Sequence, residues 1–325
     1  MRVFVTGGAG FIGGSVCRQL RARGDEVVAV VRDPGRATEL EEIGCEVRAG
    51  DLTSPEALAG GMRNCDGVIH LAGSYKVGVP PKERPQMYDA NVGTTHRVLE
   101  AAIATGVPRI IHVSTVNAFG DTRGKIVDET YRRDVNKGFV SYYDETKYLA
   151  HVTARELADS GAPILIAMPG TTYGAGDHSA VGAQLQQAYE GRLPVTGMTD
   201  LGISPAHVDD VAGGIVAMLN QGRPGDAYIL AGRNMRLAEA LQIAAKVGGH
   251  APPRITVPIG LLRGLAKLGP VGSKLLGQPP NFAEIVSAGD GVTYWASSAK
   301  ASLKLGYTPR DLEAGLRDAF GTRIA

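Results

Sequence analysis

The run Tyr143-Asp144-Glu145-Thr146-Lys147 places a phenol and an ammonium four residues apart. On a helix that spacing puts both on one face. Of the eleven tyrosines in the chain, only Tyr143 has a lysine at i+4. A free phenol, with a pKa of about 10, is a poor proton donor and a worse base at neutral pH. A neighbouring ammonium, acting with an oxidised nicotinamide, would favour the phenolate and bring the group into a working range. Ser114 and Thr115 close an apolar run ahead of this segment. A hydroxyl there could polarise a carbonyl or hold an alkoxide. It could equally cap a helix or serve a loop.

A second constellation opens the chain. The β-branched run Arg2–Thr6 leads directly into Gly7-Gly8-Ala9-Gly10-Phe11-Ile12-Gly13, followed by a helical pattern. The glycines satisfy G-x-G-x-x-G at Gly8, Gly10 and Gly13, and G-x-x-G-x-x-G at Gly7, Gly10 and Gly13. A strand before and a helix after are the context that gives such a match meaning. Glycine permits the tight turn and lets the backbone approach a pyrophosphate, which the helix N-terminus then receives. The second run ends Val30-Val31-Arg32-Asp33-Pro34. A carboxylate at that strand end would hold the ribose 2′-OH of NAD, whereas an arginine suits the 2′-phosphate of NADP. Arg32 comes first, with Arg36 close by, so NADP is favoured and NAD is the alternative. Asp51-Leu52 follows the third run. Asp51 could accept from the adenine amino group or cap a helix starting near Ser54-Pro55.

These residues need a scaffold to bring them together. Short apolar runs recur at Arg2–Thr6, Glu26–Val31, Cys45–Ala49, Gly67–Leu71, Arg109–Ser114 and Ile164–Met168. Helical patterns lie between them at Phe11–Arg23, Pro55–Met62, Val92–Thr105 and Thr146–Ser160. Nearly continuous apolar strands alternating with helices predict an α/β fold, a doubly wound parallel sheet of the Rossmann type. After about Gly170 the pattern loosens. Helices are expected at Val181–Glu190, Leu237–Val247, Leu261–Leu268 and Leu312–Phe320, and a strand at Ala227–Leu230. The organisation expected is a dinucleotide-binding domain over 1–170, with a returning segment near 206–231. Residues 171–205 and 232–325 would form a smaller, mixed substrate-binding lobe.

Composition sets outer bounds. A length of 325 residues fits two domains, or one with an appendage. A net charge of +1 offers nothing to nucleic acid or an acidic membrane. The apolar runs are too short to span a bilayer. Cys17, Cys45 and Cys65 lie outside any metal-ligand spacing and read as reduced, partly buried thiols, with no metal expected. With a strand starting at residue 2 and no leader before it, the expected location is the cytoplasm.

Taken together, Thr6–Gly13, Asp51-Leu52, His70-Leu71-Ala72-Gly73, Asn91-Val92-Gly93-Thr94-Thr95, Val113–Gly120, Tyr143–Lys147 and His207–Ala212 follow the order of a known family. The chain resembles the extended short-chain dehydrogenases/reductases, within the NAD-dependent epimerase/dehydratase superfamily. It is most similar to the dihydroflavonol-4-reductase-like bacterial reductases. The resemblance implies Tyr143 as general acid/base, Lys147 as its pKa-lowering partner and ribose ligand, and Thr115, with Ser114 beside it, as the oxygen-holding hydroxyl. It implies cofactor contacts from Gly7, Gly10, Phe11, Ile12, Gly13, Arg32, Asp51, Leu52, Leu71, Ala72, Gly73, Lys147, Pro169 and Gly170, with Asn91 more structural than catalytic. The substrate, a ketone, aldehyde or matching alcohol, would lie between the two lobes. Its candidate wall residues are Ser74, Tyr75, Phe139, Tyr142, Thr171 and Tyr173. Family dehydratases place acidic residues after the catalytic Thr, where this chain has Val116 and Asn117. Sugar-nucleotide enzymes usually carry an Asn near Tyr173, missing here. A nucleotide-sugar epimerase is the alternative, kept open by Arg192, and a non-catalytic NAD(P) sensor is a third. Family members pair as homodimers through two helices, here Val92–Thr105 and Thr146–Ser160.

Overall fold

The computed structural model describes residues 1–267, 269 and 281–321, the side chain of Arg36 excepted. The expected helper role of Arg36 and the end of the expected helix at Leu268 therefore lie outside the described residues. Six strands carry the first half: β1 (Arg2–Thr6), β2 (Glu26–Val31), β3 (Glu46–Ala49), β4 (Gly67–His70), β5 (Ile110–Val113) and β6 (Ile164–Pro169). Four short strands follow, β7 (Thr171–Tyr173), β8 (Val195–Thr196), β9 (Gly202–Ile203) and β10 (Pro205–His207). The last three are β11 (Ala227–Leu230), β12 (Met235–Arg236) and β13 (Ile255–Thr256). Seven strands form one parallel sheet in the order β11-β6-β5-β4-β1-β2-β3. The expected doubly wound α/β sheet is therefore present. The chain leaves β1 in one direction through β2 and β3, then returns to its other side at β4. That reversal opens the crevice at the carboxyl ends of β1 and β4, where such sheets bind ligands.

Both faces of the sheet are dry, which is why its strands read as unbroken apolar runs. On one face Val3, Val5, Ile69, Ile111 and Leu165 pack against α1 (Phe11–Ala22) and a later helix carrying Val211, Ile215 and Met218. On the other, Phe4, Val68, Ile110 and Ile166 meet α3 (Pro55–Met62), α5 (Thr94–Ala104) and α6 (Tyr142–Asp159). Two short helices, α2 (Thr38–Glu42) and α4 (Arg84–Tyr88), fill in between. Downstream come α7 (Ala180–Tyr189), α8 (Val208–Gln221), α9 (Leu237–Val247), α10 (Ile259–Ala266), α11 (Phe282–Gly289), α12 (Ala299–Leu305) and α13 (Leu312–Phe320). A smaller core joins α7, α9 and α13 through Leu185, Leu237, Leu241, Leu312 and Leu316.

Three local differences from the sequence reading bear on the site. Helix α6 begins at Tyr142 rather than Thr146, because the Ser141 hydroxyl accepts from the Asp144 N–H at 3.1 Å and caps it. Tyr143 and Lys147 thus share a helix from its first turn. Helix α5 is preceded by one wide turn of π-helix over Asp89–Gly93, which carries Asn91 into the interior. The long helix α8 was not expected, since Gly213-Gly214 argues against one. It forms because Gly214 lets it press onto β11: a Cβ there would lie 2.6 Å from the Leu230 side chain.

Candidate active site

The dinucleotide turn is built so closely that side chains are excluded. Gly7 has φ +73°, and a Cβ on it would lie 2.7 Å from the backbone nitrogen of Ala72. A Cβ on Gly13 would sit 2.0 Å from the Gly7 carbonyl oxygen. The Gly10 N–H donates to that same carbonyl at 3.0 Å, closing the turn. Helix α1 then starts at Phe11 with no side-chain cap and no acidic residue in its first turn. An uncapped, acid-free helix N-terminus is receptive to an anion. The residues present therefore fit a dinucleotide pyrophosphate. Phe11 and Ile12 are half-buried behind the turn, Ile12 against the sheet core.

The floor beside this turn is held by a hydrogen-bonded ladder. The Leu71 N–H donates to the Thr6 carbonyl at 3.1 Å, and the Ala72 N–H to the Thr6 hydroxyl at 3.3 Å. The Thr6 hydroxyl meets His70 Nδ1 at 2.7 Å, and His70 Nε2 meets the Thr95 hydroxyl at 3.1 Å. Thr95 donates onward to the Asn91 carbonyl at 2.7 Å. The Asn91 side chain accepts from the Ser74 N–H at 2.7 Å and donates to the Ser74 carbonyl at 3.1 Å. It also donates to the Thr146 hydroxyl at 2.9 Å, and Thr146 donates to the Tyr143 carbonyl at 2.9 Å. Asn91 thus ties Leu71–Ser74 to the helix that carries Tyr143. Gly73 leaves room for its oxygen, which lies 3.1 Å from where a Cβ would be.

Tyr143 is buried in an apolar cluster with Val79 and Met87, and Val77 and Tyr142 pack around it. Its ring meets the exposed ring of Tyr75 edge-on, with centroids 4.9 Å apart. Burial holds the Tyr143 hydroxyl well above its ordinary pKa, with Tyr75 and the Asp144 charge adding to the shift. In the chain alone desolvation dominates, and the expected effect of Lys147 is one that an oxidised nicotinamide would share. Burial also brings the Lys147 ammonium down to about 8. Its charge bears on His70, His112 and His151.

The two hydroxyls after β5 are both engaged. The Ser114 hydroxyl meets His151 Nδ1 at 3.1 Å. The Thr115 hydroxyl caps the short 3-10 turn Val116–Phe119, accepting from the Asn117 N–H at 3.2 Å and donating to Asn117 Oδ1 at 3.1 Å. Asn117 Nδ2 reaches Asp144 Oδ1 at 3.4 Å, and the Tyr294 hydroxyl donates to Asp144 Oδ2 at 3.0 Å. Tyr143, Lys147 and His151 stand at i, i+4 and i+8 of α6, one stripe of the helix. Asp144, His151 and Tyr294 were not singled out from sequence, and Asn117 only as a departure from the dehydratase pattern. Ser141-x-x-Asp144, a helix-start pattern, was the one signal that could have drawn attention to Asp144.

The remaining candidates divide. Arg32 is exposed just past β2, and its guanidinium makes no hydrogen bond or ion pair among the described residues. Asp51 is not a helix cap: its carboxylate accepts from the Thr53 N–H at 3.0 Å, and Ser54 caps α3 through the Ala57 N–H at 3.2 Å. Leu52 packs half-buried against the sheet core. Pro169 pairs with Leu230, and a Cβ on Gly170 would lie 2.4 Å from the Ser204 carbonyl. Tyr142 is clamped by the Arg84 guanidinium, 4.8 Å above its ring, and by a backbone bond to Glu284 of α11. Phe139 stacks between Arg133 and Tyr148. Thr171 is half-buried. Tyr173 is no wall residue: it is 1% exposed in the core of the smaller lobe, edge-on to His207 and pressed on Gly315. Arg192 pairs with Glu190 at the surface.

Comparison with known proteins places this geometry. Residues 3–231 match the family model for the NAD dependent epimerase/dehydratase family. A Synechocystis protein that carries the provisional name dihydroflavonol 4-reductase is 30% identical, over 97% of this chain and 92% of its own. A 2-alkyl-3-oxoalkanoate reductase of Stenotrophomonas maltophilia is 27% identical, covering 98% of both chains. The solved structure of gox2253 superposes with a TM-score of 0.84 at 30% identity, over 98% of this chain and 96% of that one.

Proposed function

We propose, for a chain that belongs to the NAD-dependent epimerase/dehydratase family and is an NAD(P)-dependent extended short-chain dehydrogenase/reductase, that it reduces a ketone or aldehyde, or oxidises the matching alcohol. Bound NADPH supplies the hydride. Tyr143 gives the carbonyl oxygen its proton. Lys147, a turn further along α6, stabilises the phenolate left behind. Thr115 and Ser114 hold the oxygen, Thr115 by redirecting the proton it now gives to Asn117.

One observation carries this reading. The Tyr143 ring sits in an apolar cluster of Val77, Val79, Met87 and Tyr142 under the open ring of Tyr75. Val79 and Met87 are buried, and the half-buried Val77 and Tyr142 with the exposed Tyr75 are the surface that can meet an apolar carbonyl. The cations at its rim are already faced by carboxylates, Lys76 by Glu83 at 2.8 Å and Arg84 by Glu284 at 3.9 Å. Neither is left to receive a diphosphate, so the surroundings favour a reductase over a nucleotide-sugar epimerase. The reductase names of the relatives above point the same way. NADP is the favoured cofactor because Arg32 stands exposed and unengaged among the described residues at the end of β2; NAD is the alternative. The protein acts as a homodimer through α5 and α6, where Leu149 and Val152 are half-buried while Ala101 and Ile103 pack on the chain's own core.

The test is oxidation of NADPH and NADH with aliphatic, aromatic and sugar-nucleotide carbonyls, with Tyr143→Phe as control. Turnover with an apolar ketone that falls by about 100-fold or more in the variant is expected. Turnover of sugar nucleotides without net consumption of cofactor would favour the epimerase.

A further inference from the structure

A buried carboxyl stands next to Tyr143 that the proposed reaction does not use. Asp144 is 1% exposed, in the first turn of α6. It is the junction of a chain that starts at the oxygen-holding hydroxyl. Thr115 donates to Asn117 Oδ1 at 3.1 Å, Asn117 Nδ2 reaches Asp144 Oδ1 at 3.4 Å, and Tyr294 donates to Asp144 Oδ2 at 3.0 Å. Tyr294 comes from the segment before α12, which lies along residues 122–127 through Thr122–Thr293 and Val127–Trp295 backbone bonds of 2.8 and 3.1 Å. Two hydrogen bonds from distant parts of the chain therefore fix one carboxylate beside the two residues proposed to handle the substrate oxygen.

We propose that Asp144 is a positioning residue that fixes Asn117, and through it Thr115, while its charge opposes ionisation of Tyr143 and so keeps the proton on the phenol. This rests on the reading of Tyr143 as the proton donor. In carbonyl reduction, the Tyr143 O–H bond breaks as its proton passes to the substrate oxygen, and solvent later restores that proton. In alcohol oxidation the phenolate must form first. Asp144 follows Tyr143 directly in the first turn of α6 and both are buried. A fixed negative charge so near disfavours the phenolate, since like charges interact strongly where water is excluded. The site is thereby biased toward reduction over a wider range of pH.

The groups facing Asp144 support this assignment. From its own helix come Tyr143 and the capping Ser141; from the turn after β5, Asn117; from the C-terminal segment, Tyr294. Arg133, in the loop before α6, is a cation bearing on it, and that guanidinium is committed to stacking on Phe139 and to the Gly138 carbonyl at 2.8 Å. Tyr75 feels the same negative charge as Tyr143. Burial pushes the Asp144 carboxyl up to about 6, so it is ionised at neutral pH but not far below.

The test reads Tyr143 directly, without substrate. The whole chain, labelled at the tyrosine ring carbon that bears the hydroxyl, is titrated by carbon-13 NMR with saturating NADP⁺ and, separately, NAD⁺. The Tyr143 signal is assigned by its loss in Tyr143→Phe. Asp144→Asn and the smaller Asp144→Ser are expected to lower the Tyr143 midpoint by about one pH unit, the usual scale for removing one adjacent like charge. In the unaltered protein, the Tyr294 signal is expected to move as Asp144 titrates near pH 6, a readout needing no variant. A Tyr143 midpoint unchanged in either folded variant, or a Tyr294 signal flat from pH 5 to 7, would overturn the proposal. Failure of the underlying reading is distinct. It would show as carbonyl reduction surviving Tyr143→Phe, whatever the titration gives.

Discussion

At the scale of single residues, the charge of Asp144 carries a cost that can be measured apart from catalysis. Its pKa rises from 3.8 to about 6 on folding, so the folded state disfavours the ionised form. The sign follows from linkage. The unfolded chain releases this proton near pH 4 and the folded chain only near 6, so stability falls as pH rises through that window. The full penalty, about 3 kcal/mol, stands above it. Asp144→Asn is therefore expected to be more stable than the parent at pH 7.5 and no more stable at pH 4. Denaturant unfolding at both values checks this, and equal stability at pH 7.5 would contradict it. Arg32 makes a separate prediction. A charge-assisted contact to a 2′-phosphate amounts to about 1.5–3 kcal/mol, so Arg32→Ala should weaken NADPH by roughly 10–100-fold and leave NADH almost unaffected. Fluorescence titration with both cofactors decides it, and equal loss for both would remove the NADP preference. Tyr143, Lys147 and the glycine turn were legible because their chemistry is written in local spacing. Asp144 was not, because what makes it unusual comes from Tyr294, 150 residues away.

At the scale of elements, the sheet and α6 trap three histidines in neutral form. His70 and His112 lie paired on β4 and β5, their rings 5.5 Å apart, and His151 faces them from α6. Burial first, then neighbouring positive charge, brings His70 to about 3, His151 to about 4 and His112 well below 6.5. Their folded pKa values are depressed. The stability they contribute is therefore complete above about pH 6.5 and is lost as pH falls, by up to about 4 kcal/mol per pH unit when all three protons count. Urea unfolding at pH 7.5 and 5.5 should show this fall, and His112→Leu should flatten it. His112 suits that test because neither of its ring nitrogens has a hydrogen-bond partner among the described residues. A slope unchanged in the variant would assign the acid sensitivity elsewhere. The strands of the sheet were legible as apolar runs, β11 included. Helix α8 was hidden because Gly214 serves packing on Leu230 and Tyr307, a tertiary reason that no local propensity carries.

At the scale of the whole molecule, the sheet places the glycine turn, the β4–β5 edge and the start of α6 around one crevice, while β7, β9 and β12 with α7, α9 and α13 build a smaller core beside it. Its placement of Tyr173 shows why wall residues were the least legible part of the site. Tyr173, on β7 just past β6, turned inward to meet His207, and Tyr75, on a loop, remained open. The outer faces of α5 and α6 predict a dimer. A stable interface needs about 1,200–2,000 Å² of buried surface, which two helices per subunit can supply. Sedimentation should give twice the monomer mass, and Val152→Lys should shift it toward the monomer; a monomeric parent protein would contradict this.

The central claim is that Tyr143 protonates a carbonyl that takes up the nicotinamide hydride. The most direct measurement follows deuterium from NADPH labelled at the transferring position, with an apolar ketone as substrate. The account predicts one deuterium on the new carbinol carbon, at a rate at least about 100-fold lower in Tyr143→Phe. A reduced product without that deuterium, or one formed as fast by the variant, would contradict it.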